Sequence, residues 1–186
     1  MRVGVLALQG DFEAHTKALA RAGVEPVEVR TTAELDSVRG LIIPGGESTT
    51  MLKLMSYYEM FEPLRAFGAG RPVFGTCAGA ILIASEVLNP AQASLNLVDL
   101  TIERNGYGRQ LDSRVVSVAQ TGLGGDPELE VVLIRAPIIR RTGGQVLASY
   151  LGSPILVDYG RHMAATFHPE LTEDTRVHAL FVSKIG

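Results

Sequence analysis

Cysteine is almost missing from this chain of 186 residues, which contains one, Cys77. One cysteine cannot form a disulfide within the chain, so the sequence favours a reducing compartment and predicts a cytoplasmic protein. An excess of positive charge is missing too, because 17 Lys and Arg against 20 Asp and Glu leave a formal net charge of −3. A chain with this balance lacks the electrostatic footprint of a nucleic-acid-binding protein.

Long apolar runs are also missing. The uncharged stretch between Arg71 and Glu86 is shorter than the roughly 20 residues that a membrane-spanning helix needs. The apolar run at 3–8 is too short for a signal peptide, so we expect neither a membrane segment nor a secretion signal. Hydrophobic residues nevertheless make up 46% of the chain, which excludes a disordered protein. We expect one compact domain, residues 1–186.

Common cofactor and metal motifs do not occur. The chain has no Gly-Lys-Ser/Thr phosphate loop, and residues 4–10 do not match the dinucleotide-binding fingerprint. Three of the four histidines, His15, His162 and His178, show no metal-ligand spacing with a cysteine or a carboxylate cluster. We therefore expect no cofactor and no metal.

The pattern of apolar residues predicts strands that alternate with helices in the first half of the chain. Strands are predicted at 2–8, 27–30, 41–43 and 72–74, and helices at 11–22, 48–55, 58–67 and after residue 77. Short strands with polar turns follow at 97–103, 114–118, 131–134, 146–150, 155–158 and 162–167. Loops are predicted at 122–127 and 141–144, and a last helix near Thr172. This order predicts an α/β fold with a parallel sheet between helices and an added β segment.

Cys77 lies at the centre of Gly75-Thr76-Cys77-Ala78-Gly79, between the strand-like run 72–74 and the helical run 80–84. This pattern predicts a sharp strand-to-helix turn that lifts one side chain above the sheet edge, as in Gly-x-Ser-x-Gly hydrolases. A thiol above a helix N-terminus is favoured as the thiolate. The position suits a nucleophile, and a small apolar residue packed in the core is the alternative.

A base for this thiol is suggested by His168-Pro169-Glu170, which follows the strand-like run 163–167. Proline disfavours helical backbone at His168, and residues two apart in an extended chain point to the same side. Glu170 can then hold one ring nitrogen of His168 while the other faces outward, as in a catalytic triad. Without the cysteine motif, the same three residues would indicate an ordinary surface pair.

A third motif, Pro44-Gly45-Gly46-Glu47-Ser48-Thr49, follows the apolar run 41–43. Adjacent glycines after a strand allow backbone N–H groups to point at a ligand, which acyl transfer requires for its negatively charged oxygen. The N–H of Ala78 would be the second donor. Ser48 or Thr49 is predicted to cap the next helix. A simple turn is the alternative interpretation.

The sequence resembles the class I, triad-type glutamine amidotransferases, and most closely their branch of glutaminase subunits of pyridoxal 5'-phosphate synthase. The resemblance covers nearly the whole chain. Many amidotransferases have glutamine where this chain has Ile81, and Ile81 is similar to the pyridoxal branch. Tyr107 stands where phenylalanine is expected. The motifs that carry the resemblance are Leu8-Gln9-Gly10, Pro44-Gly45-Gly46-Glu47-Ser48-Thr49, Gly75-Thr76-Cys77-Ala78-Gly79, Glu103-Arg104-Asn105, Gly108-Arg109-Gln110, Ile134-Arg135-Ala136-Pro137 and Phe167-His168-Pro169-Glu170-Leu171-Thr172.

The resemblance implies a three-layer, flavodoxin-like fold with a mainly parallel central sheet, and hydrolysis of L-glutamine to L-glutamate and ammonia. By position, Cys77 would be the nucleophile, His168 the general base and acid, and Glu170 its orienting partner. The residues implied in glutamine binding are Gly46, Glu47, Ser48, Arg104, Ile134 and Arg135, and the implied oxyanion donors are Gly46 and Ala78.

The resemblance also implies a partner. This would be a TIM-barrel pyridoxal 5'-phosphate synthase subunit that receives the ammonia within a hetero-oligomer. Leu8-Gln9-Gly10 is a plausible part of the interface, or a plain strand-to-helix turn. Three other functions remain open: a redox or stress-response thiol protein of similar fold, a noncatalytic docking or flavin-binding module, and a triad glutaminase that serves another synthase.

Overall fold

The computed structural model describes residues 1–106 and 113–186, so Tyr107 and the motif Gly108-Arg109-Gln110 lie outside the described residues. The strands of the described residues are β1 (Arg2–Leu6), β2 (Glu25–Val29), β3 (Leu41–Ile43), β4 (Val73–Thr76), β5 (Ala84–Leu88), β6 (Val98–Glu103), β7 (Ser113–Ala119), β8 (Glu128–Ile134), β9 (Ile138–Thr142), β10 (Gln145–Tyr150), β11 (Ser153–Asp158) and β12 (Met163–Ala165).

The helices are short, with at most 10 residues each in the described ranges. They are α1 (Phe12–Arg21), α2 (Thr32–Asp36), α3 (Ser48–Tyr57), α4 (Phe61–Gly70), α5 (Ala78–Ile83) and α6 (Arg176–Ser183), and a 3-10 turn spans Pro169–Leu171. Within those ranges, none is both long and apolar enough to cross a bilayer.

The central sheet has seven strands in the order β10-β11-β12-β4-β3-β1-β2. The five strands from β12 to β2 are parallel, and β10 and β11 extend the sheet in antiparallel fashion at one edge. The sequence-based prediction of a mainly parallel sheet is therefore confirmed. Two small sheets, β5-β6-β9 and β7-β8, contain only part of the predicted β segment, because its last three strands, β10, β11 and β12, join the central sheet.

Helices cover both faces of the central sheet. Successive residues of a strand point to opposite faces, and in these strands both sets are apolar and must be buried. Leu41 packs in one apolar core with Met51 of α3, whereas the next residue, Ile42, packs in a second core with Leu19 of α1 and Phe181 of α6. A parallel sheet buried on both faces needs near-continuous apolar strands, and the sequence of β3 provides one. The result is a three-layer arrangement with β4 near its middle.

Several predicted boundaries are wrong for local reasons. The helix predicted at 58–67 begins only at Phe61, because Glu59 takes a φ of 53°, which breaks the helical path after α3. The last helix begins at Arg176 rather than Thr172, since Thr172 is extended and the Asp174 carboxylate accepts the N–H of Arg176. In the predicted loop 141–144, the first two residues belong to β9.

Besides the 3-10 turn, three elements were not predicted, and one of them is β9, the antiparallel partner of β6. The first of the other two is α2, which begins with a capping box in which the Thr31 hydroxyl accepts the Glu34 N–H and the Glu34 carboxylate accepts the Thr31 N–H. The second is β5, which starts at Ala84 where the sequence suggested continued helix. A run such as 80–84 is apolar enough for either state, and pairing of β5 with β6 decides for the strand.

Candidate active site

Cys77 lies on a sharp turn between β4 and α5, as predicted from its flanking glycines. Its backbone has φ 49° and ψ −106°, a conformation that costs a non-glycine residue about 1–3 kcal/mol. A Cβ added at Gly79 would lie 1.9 Å from the Ile43 carbonyl oxygen, so only glycine fits where α5 crosses β3. The thiol-bearing residue is 8% exposed. Close backbone packing therefore holds one side chain in a strained, fixed position.

His168 and Glu170 form a buried pair. Nδ1 of His168 donates to Oε1 of Glu170 at 2.7 Å, and the Glu170 side chain is wholly buried. The predicted pairing is present, and His168 stays outside the helical region as predicted, with φ −108° and ψ 84°, but the chain does not remain extended as far as Glu170. Pro169 begins a 3-10 turn, and this turn brings the carboxylate back under the ring. Proline fits there because its fixed φ suits the first position of a helical turn.

The protonation of His168 depends on its two partners. Burial by itself would lower the pKa of His168, but hydrogen bonds and charge interactions with Cys77 and Glu170 raise it to about 10. The imidazolium is thus favoured at neutral pH, next to the Cys77 side chain. A thiol beside a protonated imidazole combines a nucleophile and a proton donor in the same site.

Beside this pair lies a cavity of about 360 Å³, which is lined by nearly every residue predicted from the sequence to act in catalysis or glutamine binding. Glu170 is the exception, since it lies behind His168. The lining residues predicted from sequence are Gly46, Glu47, Ser48, Cys77, Ala78, Arg104, Ile134, Arg135 and His168. Those not predicted as pocket residues are Gln9, Ile81, Asn105 and Pro137. A volume of this size suits a small polar metabolite.

Glu47 caps α3, which corrects the prediction of Ser48 or Thr49. Its carboxylate accepts the backbone N–H groups of Thr49 and Thr50 and the Thr50 hydroxyl. These hydrogen bonds, that of the Thr50 hydroxyl above all, lower the pKa of Glu47 to about 2. Arg104 reaches the same rim, 2.9 Å from the Thr49 hydroxyl and 3.4 Å from Glu47. One negative and one positive group therefore face the cavity together.

The tip of β1 packs directly on the glycine loop after β3. The Gln9 side-chain oxygen accepts the Glu47 N–H at 3.0 Å, and the Asp11 N–H donates to the Gly45 carbonyl at 3.2 Å. Gly10 approaches so closely that an added Cβ would lie 1.9 Å from that carbonyl oxygen. Gln9 is therefore part of the pocket wall. A role of this tip in a protein interface stays a prediction.

The end of β8 and the residues just after it form the other wall. The Ile134 carbonyl lies 4.0 Å from the Cys77 sulfur, and the exposed Arg135 follows it with a φ of 43°. Earlier in β8, the Val132 carbonyl accepts the His168 N–H at 2.9 Å. The β7-β8 hairpin is thus fixed to the strand end that carries the histidine.

Two buried histidines behind the pocket escaped the sequence reasoning except as candidates for metal binding. His15 contacts Thr76, Glu170 and His178, and none of these contacts involves neighbours in sequence. The available signal was a histidine at helical spacing with the apolar residues of α1, at 18 and 19. In the described part of the chain, no group of three or more His, Cys, Asp or Glu side chains is placed to hold a metal ion.

Comparison with known proteins agrees with this geometry. The model of the SNO glutamine amidotransferase family matches residues 5–186. A relative from Solibacter usitatus, named pyridoxal 5'-phosphate synthase subunit PdxT, is 58% identical, and the alignment covers 99% of each chain. The PdxT subunit of Kosmotoga olearia is 47% identical, with 100% of this chain and 98% of that protein covered.

The solved structures agree as well. The crystal structure of a glutamine amidotransferase, 45% identical, superposes with a TM-score of 0.91 over 99% of this chain and 98% of that one. A GMP synthase protein from Thermoplasma acidophilum, 18% identical, has a TM-score of 0.73 over 100% of this chain and 94% of that one, and bears on the fold alone. The fold is the flavodoxin-like fold of class I glutamine amidotransferases, as the sequence resemblance implied.

Proposed function

Because the chain belongs to the SNO glutamine amidotransferase family, we propose that it is a glutaminase in which Cys77, His168 and Glu170 form the catalytic triad. The observation that carries the proposal is the 2.7 Å pair of His168 Nδ1 and Glu170 Oε1, beside a strained Cys77 in one cavity. A core cysteine would need neither the strained backbone nor an oriented imidazole.

The first step is attack of the Cys77 thiolate on the side-chain amide carbon of glutamine. A carbon–sulfur bond forms, and the amide oxygen becomes an oxyanion. Backbone N–H groups of Gly46 and Ala78, which line the same cavity, are the proposed donors to that oxygen. One such donor contributes about 3–4 kcal/mol to lowering a barrier of this kind.

The second step breaks the carbon–nitrogen bond. The His168 imidazolium gives its proton to the departing nitrogen, ammonia leaves and a glutamyl thioester remains on Cys77. Neutral His168 then takes a proton from water, which attacks the thioester to give glutamate and regenerate the thiolate–imidazolium pair. When the neutral ring acts as base, the Glu170 carboxylate keeps its remaining proton on Nδ1, which leaves the other nitrogen free to accept a proton.

Glutamine itself offers a carboxylate and an ammonium group, and the pocket rim has a complement for each. We assign Arg104 and Arg135 to the carboxylate, because a guanidinium matches its planar pair of oxygens. Glu47, with its pKa lowered to about 2, is negatively charged at all physiological pH values and suits the ammonium group. Backbone groups of Gly46, Ser48 and Ile134 complete the proposed pocket.

The ammonia has a proposed destination. Relatives of high identity are named as subunits of pyridoxal 5'-phosphate synthase, and we infer that this chain is the glutaminase subunit of such an enzyme. It would deliver ammonia to the synthase subunit within a hetero-oligomer. Free ammonia is mostly protonated at neutral pH and then not nucleophilic, so direct delivery has a chemical advantage.

A diazoketone analogue of glutamine tests the proposed nucleophile and the pocket together. In the analogue the ketone carbon takes the place of the amide carbon and the diazomethyl carbon that of the departing nitrogen. The diazomethyl carbon should alkylate the Cys77 sulfur with loss of N2, so the peptide that contains this residue should gain the mass of the analogue less that of N2. Excess L-glutamine should protect the thiol, and Cys77→Ala should remove the label. Labelling of another residue, or labelling that glutamine does not slow, would contradict the proposal.

A further inference from the structure

His15 lies behind the proposed triad, is fully buried, and contacts both Glu170 and the residue that precedes Cys77. Its Nε2 is 3.0 Å from the hydroxyl of Thr76, the residue before the nucleophile, and 3.2 Å from Oε2 of Glu170. Its Nδ1 is 3.0 Å from Nε2 of His178 on α6. The other oxygen of Glu170, Oε1, holds His168. One imidazole therefore joins the cysteine turn to the orienting carboxylate.

The charge state of both rear histidines follows from their surroundings. Burial, with His178 and His168 nearby, holds the pKa of His15 well below its usual value. Burial and the charge of Arg21 lower the pKa of His178 to about 4. Both rings are therefore neutral at neutral pH, and each donates through one nitrogen and accepts through the other.

The carboxylate decides which nitrogen of His15 carries the proton. An ionised carboxylate can only accept, so a lone pair on Nε2 of His15 would repel Oε2 of Glu170 at 3.2 Å. With the proton on Nε2, the Nδ1 lone pair accepts the N–H of His178. That leaves Nδ1 of His178 as a bare acceptor, and this atom has no hydrogen-bond partner among the described residues. A buried unpaired acceptor is tolerated better than a buried unpaired N–H.

Glu170 depends on this N–H more than an exposed carboxylate would. Its side chain is wholly buried, and within residues 1–106 and 113–186 its Oε2 has no aligned hydrogen bond. The His15 N–H is aligned with Thr76, and its nitrogen lies 3.2 Å from Oε2, so the positive end of this dipole stabilises the carboxylate. A buried carboxylate is costly without such donors, and its rotation would take Oε1 off His168.

We propose that His15 is a positioning residue for the glutaminase reaction: the positive end of its Nε2–H dipole lies beside Oε2 of Glu170 and favours the orientation in which Oε1 stays on Nδ1 of His168. The inference rests on the proposed function, because Glu170 matters only if His168 transfers protons. Through Thr76 the same N–H also fixes the carboxylate relative to the backbone that enters the cysteine turn. A purely structural histidine, such as His162 accepting the Val73 N–H, has no link of this kind.

The tautomer can be read in the unmodified protein. In ¹⁵N-histidine-labelled wild-type chain, long-range ¹H–¹⁵N spectra at neutral pH should show His15 neutral with its proton on Nε2. A proton on Nδ1, or a charged ring, would overturn the proposal without any variant. Because no turnover is involved, this result is independent of whether the chain is a glutaminase.

Variants then test the effect on the reaction. Glutamine puts an amide N–H₂ near the position of Nε2, whereas asparagine reaches only as far as Nδ1. His15→Leu and His15→Asn should therefore lower kcat by roughly 10- to 150-fold, the loss expected when a buried charged group loses its polar neighbour, with KM changed less than about twofold. His15→Gln should recover most of the rate. His162→Leu, which removes another buried histidine, is the control for loss of stability.

The outcomes separate the two proposals. In the supporting result, the pKa of His168 in NMR titration also falls in His15→Leu and stays unchanged in His162→Leu. Any of three results would overturn the role of His15. They are a wild-type kcat in His15→Leu, equal rates in the Gln and Asn variants, and a loss of kcat in His162→Leu as large as that in His15→Leu. Failure of the proposed function looks different, because the wild-type chain with its synthase subunit would then release no Cys77-dependent glutamate. If His15→Leu does not fold, the Gln and Asn comparison decides.

Discussion

The backbone N–H of Cys77 donates to the carbonyl of Ala165 at 2.8 Å, which joins the cysteine turn to the end of β12. Because β4 and β12 are adjacent and parallel, the residues that follow them emerge at the same edge of the sheet. His168 comes three residues after Ala165. Two segments that are far apart in sequence thus place thiol and imidazole side by side, at the strand ends where open α/β sheets bind ligands.

Replacement of the thiol tests the proposed attack most simply. Cys77→Ala should lower glutamate release by roughly 10⁴-fold or more, because no other group of the site can form the thioester. Circular dichroism melting should show a folded chain. Ammonia release that survives in the folded variant would remove Cys77 from the mechanism.

The two other triad members should differ in their effects. His168→Asn removes the proton carrier and should abolish turnover, whereas Glu170→Gln removes only the charge that supports the ring and should cost less. In Glu170→Gln the pKa of His168 should fall from about 10 towards the usual histidine value. As the pH rises, the variant should therefore lose the imidazolium, and with it activity, at a lower pH than the wild-type protein. The pH profile of kcat measures this, and equal losses in both variants would argue for a larger role of Glu170.

Substrate binding should depend on the arginines at the cavity. Arg104→Ala and Arg135→Ala should each raise the KM for glutamine by roughly 10-fold or more, as expected for loss of a charge-assisted hydrogen bond. Arg140→Ala is the matched control, because Arg140 pairs with Glu103 and does not line the cavity. A KM for Arg104→Ala or Arg135→Ala that equals the control value would refute the assignment.

Acid should destabilise the fold through His178. Its pKa is lowered to about 4 in the native state, while an unfolded chain has the ordinary value near 6.5. Above pH 6.5, His178 is neutral in both the native and the unfolded state, so the native state keeps its full stability. As the pH falls from about 6.5 to 4, only the unfolded state takes up the proton, so the free energy of unfolding decreases by on the order of 3 kcal/mol.

Urea unfolding at several pH values measures this effect. The fall in unfolding free energy between pH 6.5 and 4 should be smaller in His178→Gln, which has no titrating group at this position, than in wild-type protein. The lowered pKa of His15 adds a loss of the same sign, so some slope should remain. Identical slopes in both proteins would mean that His178 is not held neutral.

The cysteine turn should tolerate no side chain at its second glycine. In Gly79→Ala the new Cβ would meet the Ile43 carbonyl at 1.9 Å, so the backbone must move and unfolding should become easier by about 3 kcal/mol or more. Gly70→Ala is the control, because nothing lies within 4 Å of its added Cβ, and it should stabilise α4 by about 0.5–1 kcal/mol. Thermal melts compare the two.

Much of the site could be predicted because each part has a local signature. Glycines around Cys77 and the proline after His168 both constrain the backbone, and these constraints are readable in a few residues. The 3-10 turn at Pro169 was mistaken for extended chain, since proline is compatible with both. The contact between His168 and Glu170 could still be predicted, because both an extended chain and a 3-10 turn bring these two side chains together.

Contacts made only by tertiary packing could not be predicted. His15 reaches Glu170 because α1 packs next to the 3-10 turn, and nothing near His15 in sequence indicates this. The division of 80–88 into α5 and β5 likewise depends on the partner strand β6. By contrast, α2 was missed although its capping box, Thr31 with Glu34, was legible in the sequence.

Glutamate release from L-glutamine tests the proposed glutaminase activity itself. The purified chain is assayed alone and with a pyridoxal 5'-phosphate synthase subunit, and Cys77→Ala is the control in both cases. The account predicts turnover that requires Cys77 and rises when the synthase subunit is added. Turnover that is indifferent to this subunit would assign the chain to another amidotransferase, and the absence of Cys77-dependent turnover under both conditions would contradict the account.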